Sequence, residues 1–279
     1  MLDRLQGLDL DHCLLVMRSL AKFHAASVVL HEEDPDSMKE YGVNFFTEPC
    51  IYDKNKRFFR AMIKTLVEEM ETWPEEWAPY ADKLRHEQDA LLHRLKETVR
   101  PNETGINVLA HGDMWINNIL FNEQRGAVRF IDFQFVTYMS PAIDLHLFLS
   151  TSATLDVQVN HTVTLLQEYH KTLCDSLAAL GYTETLITLD ELYEEFDRKS
   201  IYGLFAITVA SSFMMSDPDC GFNLEDTIER GLTPGPSMFS DRYKKTVKWM
   251  LPVLCRQGAF GDEQQRRRLN GTSSFLKGY

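Results

Sequence analysis

The sequence predicts a mainly helical α+β fold, and three observations carry that expectation. Apolar residues recur at steps of three and four over most of the chain, the period of helices that bury one face. Between residues 106 and 131 that period gives way to short apolar runs: Ile106-Asn107-Val108-Leu109-Ala110, Ile119-Leu120-Phe121 and Ala127-Val128-Arg129-Phe130-Ile131. With Asn122-Glu123-Gln124-Arg125-Gly126 as the turn, these read as a strand entering a loop and a small β-hairpin leaving it. Ser140-Pro141 then restarts the helical pattern, with Ser140 as N-cap and Pro141 at the first helical position.

Taken in order, Leu10, Leu14, Met17, Ala21, His24 and Val28 predict a helix over about 9–28. His24 lies on its apolar face and is expected to be a hydrogen-bonded core histidine. Phe59, Met62, Ile63, Leu66 and Met70 mark a second helix, and Trp77, Tyr80, Leu84, Leu91 and Leu95 a third beyond the Pro74 break. The acidic residues Glu68, Glu69, Glu71, Glu75 and Glu76 read as a solvated face. Past residue 140, helices are expected over about 157–180, closed by Gly181, over 189–215 and over 240–256. Asp217-Pro218-Asp219-Cys220-Gly221 and Thr233-Pro234-Gly235-Pro236 read as irregular connections. Phe213-Met214-Met215 and Phe222 fit a core first and a pocket lining second. Residues 1–262 are expected to form one unit, with 263–279 as a mobile tail.

The chemistry concentrates in His111-Gly112-Asp113-Met114-Trp115-Ile116-Asn117-Asn118, followed by Ile131-Asp132-Phe133-Gln134. Asp stands two and Asn seven positions after His, the spacing of a kinase catalytic loop. Phosphoryl transfer requires a carboxylate beside the acceptor hydroxyl and oxygen ligands on phosphate-bound magnesium, because most of the catalysis is positioning and charge neutralisation. Asp113 suits the base or orienter of the hydroxyl, with His111 beside it as a buttress of the loop. Asn118 and Asp132 suit the magnesium and nucleotide-phosphate side, since hard oxygen ligands match that ion. A metallohydrolase is the competing reading, and the sequence lacks a His-Glu-x-x-His cluster that would support it.

Gly112 in place of Arg, Trp115 inside the loop and Asp-Phe-Gln in place of Asp-Phe-Gly make the stretch similar to small-molecule kinases related to choline kinase and the aminoglycoside phosphotransferases. His-Gly-Asp-Met-Trp-Ile-Asn-Asn-Ile-Leu, Phe-Ile-Asp-Phe-Gln and Ser140-Pro141-Ala142-Ile143-Asp144-Leu145 most resemble the insect ecdysteroid kinase-like family. The resemblance runs from Leu20-Ala21-Lys22-Phe23-His24-Ala25 to Gly258-Ala259-Phe260, with the chemically specific motifs confined to 106–150. It implies the C-terminal lobe of a protein-kinase-like fold, ATP and Mg2+ as cofactors, and a small-molecule acceptor with a hydroxyl group, ecdysteroids among them. It also implies that Asp144 is a structural acid accepting hydrogen bonds from the catalytic loop.

Such kinases cover the nucleotide with a Gly-rich loop and a strand Lys. Before His111 the glycines are Gly7, Gly42 and Gly105, too far apart for that loop, and Lys22, Lys64, Lys83 and Lys96 fall in helical patterns. The expectation is a large lobe without its N-terminal β lobe, transferring little phosphate by itself. The second reading is a non-catalytic half-kinase that binds a small ligand or partner.

Composition bounds the remaining classes. A formal net charge of −12 argues against nucleic-acid binding and against docking on anionic membranes. Neither a signal peptide nor eighteen consecutive apolar residues is expected. Five scattered cysteines without a C-x-x-C pair fit a reducing, cytoplasmic setting.

Overall fold

The computed structural model describes residues 3–42, 45–47, 52–221, 223–230 and 235–261. The expected tail over 263–279, Phe222, and Thr233 and Pro234 of the expected 233–236 connection lie outside those residues. Four helices come first: α1 (Leu10–Glu33), α2 (Tyr52–Met70), α3 (Ala78–Glu87) and α4 (Leu91–Thr98). The strands β1 (Val108–Ala110), β2 (Ile119–Asn122), β3 (Ala127–Phe130) and β4 (Thr137–Met139) follow. Then come α5 (Ala142–Thr151), α6 (Leu155–Asn160), α7 (Thr162–Ala179), α8 (Leu189–Arg198), α9 (Ser200–Phe205), a π-turn at Ala206–Ala210, α10 (Ser211–Met214), α11 (Leu224–Arg230) and α12 (Asp241–Arg256). The chain is thus mainly helical with a few short strands.

α1 begins where the Asp9 side chain accepts the His12 amide at 3.0 Å, satisfying one of the donors a helix start leaves open. Its Val16, Met17, Leu20, Ala21, Ala25 and Val28 are buried and it lies along α7, whose Leu165, Leu166, Tyr169, Leu173 and Leu177 are buried in turn. α1 has the length and apolar composition to cross a membrane, but this inward face is occupied by α7. α5 is buried at every position, as a helix apolar all round requires. It forms the centre of the fold and carries Asp144 in its first turn. Ser140 Oγ accepts the Ala142 amide at 3.2 Å, but the cap position falls to Pro141 and the regular helix starts at Ala142, one residue later than expected.

β1 pairs antiparallel with β4 (Leu109 opposite Tyr138), and β2 pairs antiparallel with β3 (Phe121 opposite Val128). Gly126 closes the β2–β3 turn in the left-handed region at φ +54°, where glycine has no steric penalty. β4 was not anticipated. The two sheets place the segment between β1 and β2 next to the segment between β3 and β4, and the site lies at that junction.

Three expected helices are interrupted. The third breaks into α3 and α4 around Gln88–Ala90, bridged by the Arg94–Glu87 ion pair, so that Leu84 on one side and Leu91, Leu92 and Leu95 on the other all reach the core. The fourth breaks at His161, and α7 ends as expected with Gly181 at φ +79°, its amide on Ala178 O. The 189–215 segment turns at Lys199, whose Nζ donates to Thr98 O at 2.8 Å, and widens into the π-turn. Glu69 corrects the reading of its acidic run. It is buried, accepts Trp73 Nε1 at 3.0 Å and pairs with Lys244 at 2.8 Å.

Candidate active site

β1 delivers His111 into the interior, and the loop after it is held from below by one carboxylate. Asp144 accepts the His111 amide at 2.7 Å on Oδ2 and the Gly112 amide at 2.9 Å on Oδ1. His24 Nε2 lies 3.1 Å from the same Oδ2, and its Nδ1 lies 2.7 Å from the Tyr169 hydroxyl. His24 Nε2 donates to the Asp144 carboxylate, and its Nδ1 shares a hydrogen bond with the Tyr169 hydroxyl, whose phenol burial keeps protonated. Burial pushes the Asp144 carboxyl up, but the His24 hydrogen bond, the fields of His24 and His111 and the Gly112 amide outweigh it and hold the group below its usual value. This acid is completely buried and works as an anchor for loop backbone.

His111 is also fully buried. Its Nε2 donates to Ile131 O at 2.9 Å, which leaves Nδ1 to accept the Asp113 amide at 3.3 Å. The ring thus ties the loop after β1 to the residue before Asp132. Gly112 adopts φ +78°, and a Cβ there would sit 2.1 Å from Phe135 O. Both the dihedral and the backbone contact exclude a side chain. Gly112→Ala is therefore expected to lower the thermal midpoint by several degrees and to displace the Phe133–Phe135 segment; a midpoint unchanged within one degree would contradict this packing.

Asp113 is half-buried and meets Asn118 directly, with Asn118 Nδ2 donating to Asp113 Oδ2 at 2.8 Å and to Asp113 O at 2.9 Å. Burial raises the Asp113 pKa; the Asn118 and Trp115 hydrogen bonds and His111 pull it down, while the neighbouring Asp132 charge adds to the rise. Asp132 is solvent-exposed and occupies the left-handed region at φ +63°, a conformation that a non-glycine residue adopts at a cost and that clusters at functional sites. Among the described residues its carboxylate and Asn118 Oδ1 have no protein partner. Two such oxygen donors fit magnesium, which takes one or two protein ligands and completes its shell with water and phosphate oxygens. No three His, Cys, Asp or Glu side chains among the described residues group as a metal-ligand set, so the hydrolase reading gains no support.

Below Asp113 opens a cavity of about 360 Å³, within the range of small-molecule sites. Aromatic residues from distant segments enclose it: Phe45 and Phe46, Phe58 of α2, Phe135, Tyr202 and Phe205 of α9, and Phe213 of α10. Phe213 and Met214 line this cavity, while Met215 is core, so the pocket reading of that cluster applies to two of its three residues. Gly112, Asp113, Trp115 and Gln134 form the polar end. Asp132 and Asn118 lie outside the lining, so the carboxylate that faces the cavity is Asp113. His24 gave one signal of its connection to the site, a histidine on an apolar helix face; Tyr169, Ser152 (Oγ accepting the Ile116 amide at 2.9 Å) and Tyr202 gave none.

The ecdysteroid kinase-like family model matches residues 1–182. An uncharacterised kinase-like protein of Caenorhabditis elegans is 24% identical over 209 residues, which cover 74% of this chain and 52% of that protein. The chain thus spans about half the length of the curated relative it matches.

Proposed function

The chain belongs to the ecdysteroid kinase-like family, and from that premise we propose that it carries the acceptor cavity and catalytic loop of an ATP-dependent phosphotransferase acting on the hydroxyl of an apolar small molecule, an ecdysteroid or similar polycyclic alcohol. The observation that carries the reading is Asp113: one carboxylate, oriented by Asn118, faces an aromatic cavity. The acceptor hydroxyl enters from that cavity and hydrogen-bonds Asp113. As its oxygen bonds to the γ-phosphorus, the bond from that phosphorus to the β-phosphate bridging oxygen breaks, ADP leaves and the hydroxyl proton passes to Asp113. Asn118 Oδ1 and Asp132 would hold Mg2+, which would supply charge neutralisation on the phosphates. His111 and Asp144 fix the loop and touch no reacting atom.

The described residues contain no Gly-rich phosphate cover, and we infer that the chain by itself transfers little phosphate. The test is transfer from γ-labelled ATP to hydroxylated sterols and small alcohols, with the chain alone and joined to the nucleotide-covering lobe of a family relative. Label should appear on the sterols with the fusion only. Sterol binding without turnover in the fusion would favour the non-catalytic half-kinase; robust turnover by the chain alone would overturn the inference of inactivity.

A further inference from the structure

Tyr202 brings to the cavity a polar group that the proposed reaction does not use. Tyr202 lines it from α9 and is only 2% exposed. Among the described residues nothing hydrogen-bonds its hydroxyl, and that oxygen is not among the sealed polar atoms of the interior. The oxygen is therefore open to the cavity, and a ligand that sealed it there without pairing it would forfeit about 1–3 kcal/mol. The other polar groups of the lining are engaged or peripheral. Thr137 Oγ1 donates to Phe135 O at 3.0 Å, the Trp115 side chain is hydrogen-bonded to Asp113, and Gln134 is exposed.

The geometry points to Tyr202 as a specificity-determining anchor: its hydroxyl donates to a second oxygen of the acceptor, a ketone, ether or further hydroxyl, other than the hydroxyl held at Asp113. This rests on the reading of the cavity as the acceptor site. Burial and the fields of Asp144 and Asp113 keep the phenol protonated, so it offers a proton and rejects a ligand that presents only hydrocarbon there. Phe46 and Phe205 pack on the Tyr202 ring, with centroids 5.8 and 5.3 Å away, and fix the direction in which that hydroxyl is presented. An acceptor bearing one hydroxyl on an otherwise bare skeleton would fill the volume and leave the Tyr202 hydroxyl unpaired.

The experiment measures binding by calorimetry for two ligands on the chain and on Tyr202→Phe. One ligand is dehydroepiandrosterone, a rigid steroid alcohol with a ketone at its far end; the other is the same skeleton without the ketone. Wild type should bind the keto-alcohol roughly tenfold more tightly, about what one neutral hydrogen bond supplies. Tyr202→Phe should bring that ratio to about one, leave the affinity for the ketone-free alcohol unchanged and keep the thermal midpoint. Binding of both ligands with no ketone preference, or a preference that survives Tyr202→Phe, overturns the anchor while leaving the cavity reading intact. A lowered midpoint would show that the hydroxyl is held inside the fold and would also overturn it. If wild type binds neither ligand, the acceptor-site reading itself falls, and the anchor with it.

Discussion

Asp113→Asn should lower the rate of phosphoryl transfer in the fusion by about a hundred- to ten-thousand-fold, the usual contribution of a positioned base, with little change in the KM for ATP. The amide keeps the shape and the contact to Asn118 but cannot take the acceptor proton. The substitution should not harm the fold. The pKa of Asp113 is raised by burial, so the folded state holds its proton over a range where the unfolded chain has lost it. Stability from this group is therefore present below the unfolded value and lost as pH rises through the folded one; at neutral pH the neutral Asn should match or slightly exceed wild-type stability. By the same shift, the acid limb of the wild-type rate profile should lie above the ordinary carboxylate value near 3.8. A variant that retains a tenth of the rate would remove Asp113 from the proton transfer.

Asp144→Asn should have the largest effect on the fold. The carboxylate accepts from two loop amides and His24 with no exposure to water. An amide in its place turns an N–H toward these donors, and breaking a buried, hydrogen-bonded charge in this way costs about 3–5 kcal/mol. For a domain of this size that corresponds to a midpoint lower by roughly 6–20 °C. Because the folded pKa of Asp144 is depressed, its stabilisation is present above the unfolded value and lost as pH falls through the folded one. The acid branch of the wild-type stability curve should therefore be shallower in Asp144→Asn. Equal acid sensitivity in the two proteins, measured by thermal unfolding across pH, would mean that Asp144 does not anchor the loop.

The parts of this site that could be read in the sequence are those in which neighbouring positions do the chemistry. Asp113 and Asn118 meet within one turn of loop, so their spacing determines their contact. The faces of α1 and α2 were legible because one apolar stripe repeats for several turns. Asp144 was reached only through family resemblance, because its amide partners lie more than thirty positions away. Of the aromatic cavity only the Phe213-Met214 stretch was legible, as a second reading behind core; Phe46 and Tyr202 come from segments with no local relation to it, and each alone looks like core. The breaks at Gln88–Ala90, His161 and Lys199 were missed because buried tertiary contacts override a continuous helical period there. β4 is only three residues long and owes its form to β1.

In the proposed reaction Asp113 faces the acceptor while Asn118 and Asp132 face the nucleotide. A crystal structure of the fusion with Mg-ADP and a steroid alcohol tests it most directly. Asn118 Oδ1 and Asp132 should lie on the metal at about 2.0–2.1 Å, and the steroid should occupy the aromatic cavity with its hydroxyl about 2.6–3.2 Å from an Asp113 carboxylate oxygen. A steroid seated outside that cavity, or a metal bound by neither Asn118 nor Asp132, would contradict it.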